Sequence, residues 1–562
     1  MGVTAGCASE IEQPGSSEGG ARFESVMGRW RKPHPHQVPL SDAGTPQTDA
    51  PVAAQTDAAV PPQSDAAVPP QSDAAAPPQS DAAVPPQRDA AVPPQSDAAV
   101  PPQSDAAVPP QSDAAVQRDA SPPQQDAGSG STYCYGDVPC APVTVRQPSA
   151  ACAAAGANTS WVVSTGPNTT GYPESSLALP GVGTRVKDPD LHACLTQATP
   201  AGWMNGYARF SAFNADSSRM LVRKSGGAWF ILDYASLGTP TRSIPASGDD
   251  AAPRWHGRDP DVLFYLSGTK LMRYQVTPGT TTVALDASAA PGLAGCGGVS
   301  SLSLGGSEGD GSAASRYWGF MVTTSSSCGG NTNHYLTADL QTGTTWVHHL
   351  PSGRGLPDNS SISLTGKYFI TNAQGSPCSG TGSITSPCGV MAYTITFDRA
   401  FMVHPNAGHS DEALGADGHD VEVVKSNSTD YIEAIDLETH VTTRLVPLSI
   451  NGVADWDFHV SGGNWAMPGW VLLSQDSYDW NTHYLSRQIV AVELKDAAVA
   501  RVVHLAHHRT RSTQYWTKES HAAVNADFTR VAWHTNWGGS EAESANMMFF
   551  LELPPSFLKQ LP

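Results

Sequence analysis

Hydrophobic residues from Gly206 onward occur in short runs that alternate with turns rich in Gly, Asn, Asp and Ser. The pattern repeats in units of about 40 to 60 residues and contains no long stretch of helical periodicity. The clearest units contain four short runs, and an aspartate lies in the turn between the first and the second run: Asp216, Asp259, Asp417 and Asp527. Four strands per repeated unit predict an all-β fold, a β-propeller, with seven blades.

The first 130 residues have a different composition, dominated by Pro, Ala, Gln, Ser and Asp. Between Asp49 and Asp113 an aspartate recurs every eight residues in near-perfect copies of VPPQSDAA, and Arg88 replaces one of the serines. Paired prolines suppress helices and remove ladder donors, and the segment has little apolar surface to bury. We predict a disordered spacer that holds the folded part away from a surface. The alternatives are a ligand for a proline-recognition domain and a wall-associated segment.

These patterns divide the chain into four predicted regions: an N-terminal segment (1–30), a linker (31–130), a Cys-rich strap (131–197) and the propeller (198–562). Eight cysteines follow Cys7, and an even number in a Gly- and Ser-rich chain predicts four disulfides in an extracytoplasmic setting. We expect neighbouring cysteines to pair. The expected pairs are Cys134 with Cys140, Cys152 with Cys194, Cys296 with Cys328, and Cys378 with Cys388.

The formal net charge is −20, with 52 acidic and 32 basic residues, which argues against nucleic acid as a partner. Ala5, Gly6 and Cys7 resemble the lipobox at which bacterial lipoproteins are cleaved and acylated. The segment departs from that pattern at Thr4, where leucine is usual, and no charged or apolar signal precedes it. We therefore expect a monomer that is secreted or anchored to the outer membrane or cell surface through Cys7. The alternative is that the tripeptide occurs by chance.

Three sequences carry a more specific likeness: NADSSRMLV, GADGHDVEV and NADFTRVAW. They resemble the strand–turn–strand repeat of TolB-type propellers. The resemblance covers about 350 residues and implies the propeller fold, but such propellers serve as binding modules, scaffolds and enzymes alike.

Three of the units carry a metal-binding or proton-transferring side chain twelve residues before a valine in the second apolar run. These side chains are His409, His459 and Glu519. Equal spacing suggests equal positions, so in a propeller they would converge on one mouth of the central channel. Because side chains alternate along a strand, Asp411 shares a face with His409, and His521 shares a face with Glu519.

Three imidazoles and a carboxylate suit a divalent transition metal, because both donor types bind Mn, Zn and Fe well. We predict one such ion bound by His409, His459, Glu519 and His521, with donor atoms within about 5 Å of a common point. The alternative is that these histidines hydrogen-bond neighbouring blades and have no chemical role.

Histidines in the late blades of a propeller are also similar to those of oligogalacturonate lyases, which hold a metal at the channel mouth. The resemblance implies a lyase in which a cation neutralises the uronate carboxylate, a base removes the C5 proton and the glycosidic oxygen leaves. Arg254 would neutralise the carboxylate, and His256 or His409 would be the base. The chain departs from that family at Glu519, where an amide side chain is expected.

Trp537, flanked by glycines in HTNWGG, is the predicted aromatic contact for a sugar ring, with core packing as its alternative. Asp411 is a second predicted substrate contact. No GxSxG, Walker, dinucleotide or HExxH motif occurs in a suitable context. Two functions remain open: a metal-assisted polysaccharide lyase acting on an extracellular uronate glycan, and a non-catalytic TolB-like propeller that binds a glycan or an envelope protein.

Overall fold

The computed structural model of the chain is a seven-bladed β-propeller, which confirms the predicted fold and blade count. It describes residues 133–166, 171–247, 251, 253–306, 308–374, 378, 380–450, 453–454, 458–476, 484–511, 519–540 and 542–561. The proline repeat and Cys7 lie outside these residues. No helix of the described residues is long and apolar enough to cross a membrane.

The N-terminal part of the described chain contributes one short helix and five strands. They are β1 (Tyr133–Tyr135), β2 (Val138–Pro139), α1 (Ala150–Ala154), β3 (Val162–Thr165), β4 (Arg185–Lys187) and β5 (Cys194–Gln197).

Blades 1 to 4 are four-stranded antiparallel sheets in which chain order is also the order from the innermost strand outward. Blade 1 contains β6 (Trp203–Met204), β7 (Arg219–Lys224), β8 (Ala228–Asp233) and β9 (Arg242–Ser247). Blade 2 contains β10 (Arg254–Trp255), β11 (Val262–Ser267), β12 (Lys270–Gln275) and β13 (Thr280–Asp286). Blade 3 contains β14 (Val299–Ser303), β15 (Tyr317–Cys328), β16 (Asn331–Asp339) and β17 (Thr344–His349). Blade 4 contains β18 (Asn359–Ile362), β19 (Tyr368–Asn372), β20 (Val390–Thr394) and β21 (Ala400–His404).

Blades 5 to 7 follow the same plan, and a small hairpin of β26 (Ser449–Ile450) and β27 (Val453–Ala454) lies between blades 5 and 6. Blade 5 contains β22 (Ala407–Leu414), β23 (Asp420–Ser426), β24 (Tyr431–Asp436) and β25 (Thr442–Pro447). Blade 6 contains β28 (Phe458–Ser461), β29 (Trp470–Gln475), β30 (Gln488–Glu493) and β31 (Arg501–His507). Blade 7 contains β32 (Ala523–Val524), β33 (Arg530–Thr535) and β34 (Met547–Glu552).

The ring closes where strands that precede blade 1 pair with strands of the last two blades. Strand β5 pairs with β34, with Leu195 opposite Leu551, and β4 continues the same sheet. Strand β3 pairs with β31 and becomes the fifth strand of blade 6. Much of the region predicted as a strap therefore supplies strands to blades, and the boundary expected after residue 197 falls between the closing strand and blade 1.

The four aspartates in the predicted turns each cap the hairpin between the first and second strands of a blade. One carboxylate oxygen of each accepts the backbone N–H two residues further on, at 3.0 Å for Asp216, Asp259 and Asp527 and 3.2 Å for Asp417. Such Asx turns satisfy the backbone where the chain reverses, which explains why aspartate recurs at these points.

The four predicted disulfides are all present, with the expected neighbour pairing. They are Cys134–Cys140, Cys152–Cys194, Cys296–Cys328 and Cys378–Cys388. The Cys152–Cys194 bond joins helix α1 to the closing strand β5.

Candidate metal centre

The predicted metal ligands lie where the inner strands of blades 5, 6 and 7 begin. His409 is near the start of β22, His459 is in β28, and Glu519 and His521 directly precede β32. We call this the histidine face of the propeller. The opposite face, where the inner strands end in hairpins, is called the strap face.

Strand pairing shows how well the twelve-residue spacing before the valine predicted the positions of His409 and His459. His459 lies opposite Ser474, and Ser410 lies opposite Val424, so each partner is three residues after the valine from which the count was made, Val471 or Val421. His409 is therefore one position further from its hairpin than His459. The hairpins differ in length, so an equal count places these residues on the same level only to within one residue.

Three of the four predicted ligands converge on one point. Nε2 of His459 lies 3.3 Å from Oε2 of Glu519, and Nε2 of His521 lies 3.5 Å from the same oxygen. The donor atoms of the three residues all lie within 4.8 Å of one another. His409 is the fourth member, with its ring stacked on that of His459 at a centroid distance of 4.3 Å and an interplanar angle of 18°.

Hydrogen bonds to the far side of two rings set their orientation. Nδ1 of His409 donates to the carbonyl of Phe458 at 2.8 Å. Nδ1 of His459 lies 3.2 Å from Oδ2 of Asp476 and donates to that carboxylate. Nδ1 of each ring is thus engaged outside the cluster and Nε2 faces into it, which is the arrangement that metal-binding histidines use.

Burial favours the neutral form of His409 and of His521. Desolvation lowers the pKa of His409 well below its ordinary value, and the neighbouring His459 adds to the effect. Desolvation and His459 likewise lower the pKa of His521. Neutral imidazole is the form that binds metals. The site still reaches solvent, because 14% of the Glu519 side chain is exposed.

Tyr207 of blade 1 also lines this end of the channel, and Arg209 lies in the channel wall, although sequence analysis selected neither residue. The ring of Tyr207 faces the rings of His521, His459 and His409 at centroid distances of 4.8, 5.4 and 6.4 Å. The sequence feature that could have identified them is their spacing, because residues 207 and 209 share one face of an extended chain. Counting back from the hairpin selected residue 208 instead. The chain between residues 204 and 213 departs from regular pairing with β7, so the count is one residue out of step there.

Asp411, predicted to contact substrate, lies in the channel wall instead. Its side chain is buried, Oδ1 lies 3.3 Å from Nε of Arg209, and Oδ2 accepts the backbone N–H of Gly462 at 2.7 Å. Arg209 also contacts Glu412 at 3.3 Å and Glu308 at 3.6 Å. The carboxylate therefore belongs to a charge network, and its acceptor atoms are engaged within the protein.

Arg254 and His256, the predicted catalytic residues, lie in blade 2: Arg254 is the first residue of β10, and His256 is in the hairpin that follows β10. Nε of the buried Arg254 donates to the carbonyl of Gly309, and its guanidinium lies 3.6 Å from the ring centroid of Phe210. Nδ1 of His256 accepts the backbone N–H of Arg258 at 3.0 Å within the hairpin turn. The structure thus places His256 on the strap face. Arg254 lies in the channel wall, where it pairs with Phe264 at the same level as Asp411 with Val423, and it is not part of the histidine cluster.

The strap runs across this second face. The ring of Tyr135 fills the space above Gly418, where an added Cβ would lie 2.2 Å from the ring. Asp137 accepts the N–H of Ala314 in the hairpin of blade 3 at 3.1 Å. His256 lines a cavity of about 90 Å³ together with strap residues 142 and 144. The strap therefore covers the end of the channel that holds His256.

Trp537 packs against the outer part of blade 7. Its indole N–H donates to the carbonyl of Leu177 at 3.1 Å, and its ring stacks on Phe549 at 4.7 Å with an angle of 14°. The guanidinium of Arg509 lies 5.2 Å from the ring centroid. These contacts are those expected if Trp537 packs in the core, which was the alternative to a role as an aromatic contact for a sugar ring.

No family profile and no curated protein matches the sequence. Among solved structures, an oligogalacturonate lyase in complex with manganese is 15% identical, with a TM-score of 0.45, and the match covers 66% of this chain and 96% of that one. An oligogalacturonate lyase from Vibrio parahaemolyticus is 10% identical (TM-score 0.46, 66% and 97%). TolB from Acinetobacter baumannii is 14% identical (TM-score 0.29, 54% and 63%). Both kinds of propeller that the sequence resembles are thus among the similar structures.

Proposed function

We propose that the propeller binds one divalent transition-metal ion at His459, Glu519 and His521, beside His409, and cleaves an extracellular uronate glycan by β-elimination. The observation that carries the proposal is the convergence of two imidazole Nε2 atoms on one oxygen of Glu519, at 3.3 and 3.5 Å.

The donor set fits such an ion. Metal–ligand bonds of about 2.1 Å place neighbouring ligand atoms about 3.0 to 3.4 Å apart, close to the separations found here. Imidazoles together with a carboxylate favour Mn, Zn or Fe over Mg and Ca, which prefer oxygen ligands throughout. His409, with its Nε2 lone pair in the cluster, is either a fourth ligand or a group that accepts a proton.

The charge of the site favours an anionic substrate. A divalent ion held by one carboxylate and neutral imidazoles has a net charge of about +1, and it attracts an anionic oxygen ligand. A uronate offers such a carboxylate, next to a C–H group and a β-alkoxy leaving group. When bound, the metal would neutralise the carboxylate and make that C–H more acidic.

Two side chains of this protein are suited to the proton transfers. His409 is held by its Nδ1–H bond to Phe458, so its neutral ring can accept the substrate proton at Nε2. Burial raises the pKa of Tyr207 well above its ordinary value, and the charges of Glu308 and Glu519 raise it further. Its phenol therefore stays protonated at neutral pH and can donate to the departing glycosidic oxygen.

The test begins with elemental analysis of the purified full-length chain, before and after treatment with a chelator. The protein reloaded with Mn, Zn or Fe is then incubated with uronate polymers, and the ultraviolet absorbance of the unsaturated product is followed. We expect one bound ion per chain and an activity that His459→Ala abolishes. His440→Ala is the matched control, because this exposed histidine lies in a turn of blade 5.

The alternative function, a non-catalytic binding propeller, gives a different result. A protein that holds the ion and binds a uronate polymer in calorimetry, without new absorbance, is a metal-dependent glycan-binding module. A protein that takes up none of the three metals contradicts the metal centre and both functions that depend on it.

The proposal places the protein outside the cytoplasm, which the four disulfides support. Anchoring through Cys7 predicts that the wild-type protein incorporates labelled fatty acid in a bacterial host and that Cys7→Ser does not. Equal labelling of both proteins would contradict the anchor.

A further inference from the structure

A second group of metal-binding side chains lies in the outer part of blade 3, on elements that do not contribute to the histidine cluster. The Cys296–Cys328 disulfide connects the segment before β14 to the hairpin between β15 and β16. His334 of β16 and His349 of β17 lie directly opposite each other in register. Their Nδ1 atoms are 2.9 Å apart, so the two rings share a hydrogen bond.

Both imidazoles lie against the disulfide. Nε2 of His334 is 3.7 Å and Nδ1 of His349 is 3.8 Å from Sγ of Cys328. Donor atoms of Cys296, Cys328 and His334 lie within 4.8 Å of one another. The other disulfides have no such grouping among the described residues.

We propose that reduction of the Cys296–Cys328 disulfide creates a zinc site in which both cysteines, His334 and His349 are the ligands. Two thiolates and two imidazoles form a tetrahedral zinc set, with Zn–S near 2.3 Å and Zn–N near 2.1 Å. These bonds separate the ligand atoms by about 3.4 to 3.8 Å, which the distances from Sγ of Cys328 to the two imidazoles already match. The sulfurs need only move apart by about 1.7 Å from their separation in a disulfide.

The local structure holds the imidazoles ready for such a change. His334 is completely buried, and its Nε2 lies 3.0 Å from the hydroxyl of Thr324. The hairpin turns through Gly329, whose φ is +62°, and a Cβ there would lie 2.7 Å from the His349 side chain. Glycine thus permits His349 to lie directly over the hairpin that carries Cys328.

The reduction requires a dithiol reductant, which can reach the exposed hairpin at Cys328. Its thiolate attacks Sγ of Cys328, and Cys296 leaves as a thiolate. The second thiol of the reductant then attacks its own mixed-disulfide sulfur, which releases Cys328 and leaves the reductant as a cyclic disulfide. Zinc binding to the two cysteines releases their remaining protons. Over the whole sequence the disulfide gains two electrons from the reductant, and the zinc ion keeps its charge.

The full-length protein tests this with cobalt as a spectroscopic probe for zinc. The disulfides are reduced with a phosphine, which does not compete for the metal, and Co²⁺ is added without oxygen. We expect a near-ultraviolet thiolate-to-cobalt band and one more cobalt per chain than in the oxidised protein. Zinc should then abolish the band. In the oxidised protein Cys296 and Cys328 provide no thiolate, and the histidine cluster contains no cysteine, so this band is independent of that cluster.

The matched variants separate this site from other thiols. His334→Ala combined with His349→Ala should lose the band, whereas His348→Ala should keep it, because His348 is on the same strand but its ring packs on Tyr335. Cys378→Ser combined with Cys388→Ser should also keep the band. In reduced wild-type protein, zinc should slow alkylation of Cys296 and Cys328, but not of Cys378 and Cys388, as read by mass spectrometry. A wild-type protein without the band, or a double-histidine variant with an undiminished one, would overturn the proposal.

Discussion

Nδ1 of His459 lies 3.2 Å from Oδ2 of Asp476, on the side of the ring that faces away from Glu519. Burial alone would raise the pKa of Asp476, but the hydrogen bond with His459 and the charge of His508 hold it well below its ordinary value. The carboxylate is therefore ionised, and it orients a proposed metal ligand.

We predict that Asp476→Asn weakens metal binding by about 10- to 100-fold, because the amide no longer stabilises the His459 orientation and basicity. Competition with a chromophoric chelator measures this. Asp436→Asn is the control, since Asp436 makes a similar contact of 2.8 Å with His419 outside the cluster. Equal losses in both variants would show that Asp476 does not act through His459.

Arg209 is the cation of a network that contains Asp411, Glu412 and Glu308. Burial would lower the pKa of Arg209, but these carboxylates raise it. Burial also raises the pKa of Asp411, and Glu412 adds to the rise, while Arg209 opposes it. Removing the arginine leaves buried carboxylates without their cation, which costs about 3 kcal/mol or more.

We therefore predict that Arg209→Met is destabilised, and more so at pH 8 than at pH 5. Without the arginine the folded pKa of Asp411 rises further, so the folded state holds a proton that the unfolded state releases. Stability then falls as pH rises towards the folded pKa. Urea unfolding at several pH values measures the trend. A variant whose loss is the same at both pH values would contradict this account.

The repeated patterns predicted the blades because strand period and turn chemistry are local properties, as the Asx turns at Asp216 and Asp527 show. The same local count brought His459 near its partners, since inner strands begin on one face. It could not place His256, because this residue follows the end of β10 and lies in the hairpin at the other end of the channel. Tyr207 was missed because irregular pairing in blade 1 shifts the alternation by one residue.

His504 is a completely buried histidine whose neutral form is built into blade 6. Its Nδ1 lies 2.6 Å from Oε1 of Gln488, and its Nε2 lies 3.0 Å from the hydroxyl of Ser164 in β3. Burial, with a further contribution from His507, lowers the pKa of His504 to about 3. The unfolded chain binds this proton near pH 6.5, whereas the folded protein does not.

The contribution of neutral His504 to the free energy of unfolding is therefore fully present above pH 6.5, and it is lost as the pH falls from there towards 3. We predict that His504→Asn makes the dependence shallower by about 1.4 kcal/mol per pH unit between pH 6 and 4, although the variant is less stable at pH 8. Chemical unfolding across this range measures the slope. His440→Asn, at an exposed turn, should leave it unchanged. An unaltered slope in the His504 variant would assign the acid sensitivity to other groups.

Glu552 joins β34 to the strands and the helix that precede blade 1, where the ring closes. Its buried carboxylate accepts the backbone N–H of Ser149 at 2.6 Å, Nε of Arg185 at 2.9 Å and the hydroxyl of Thr196 at 3.2 Å. One side chain of β34 thus holds the N-cap of α1, strand β4 and strand β5. Burial would raise the pKa of Glu552, but the bonds from Ser149 and Arg185 lower it below its ordinary value of 4.5.

We predict that Glu552→Gln costs about 3 kcal/mol of unfolding free energy at pH 7, because it leaves the contacts of Arg185 and Ser149 incomplete. Glu438→Gln, which breaks a surface pair with Lys367, should cost less than about 1 kcal/mol. The contribution of Glu552 is present above about pH 4.5 and is lost as pH falls below it, so the variant should lack that acid-sensitive step. Limited proteolysis should cut the variant first in the N-terminal segment before β5. Equal stability of the two variants would show that strand pairing alone closes the ring.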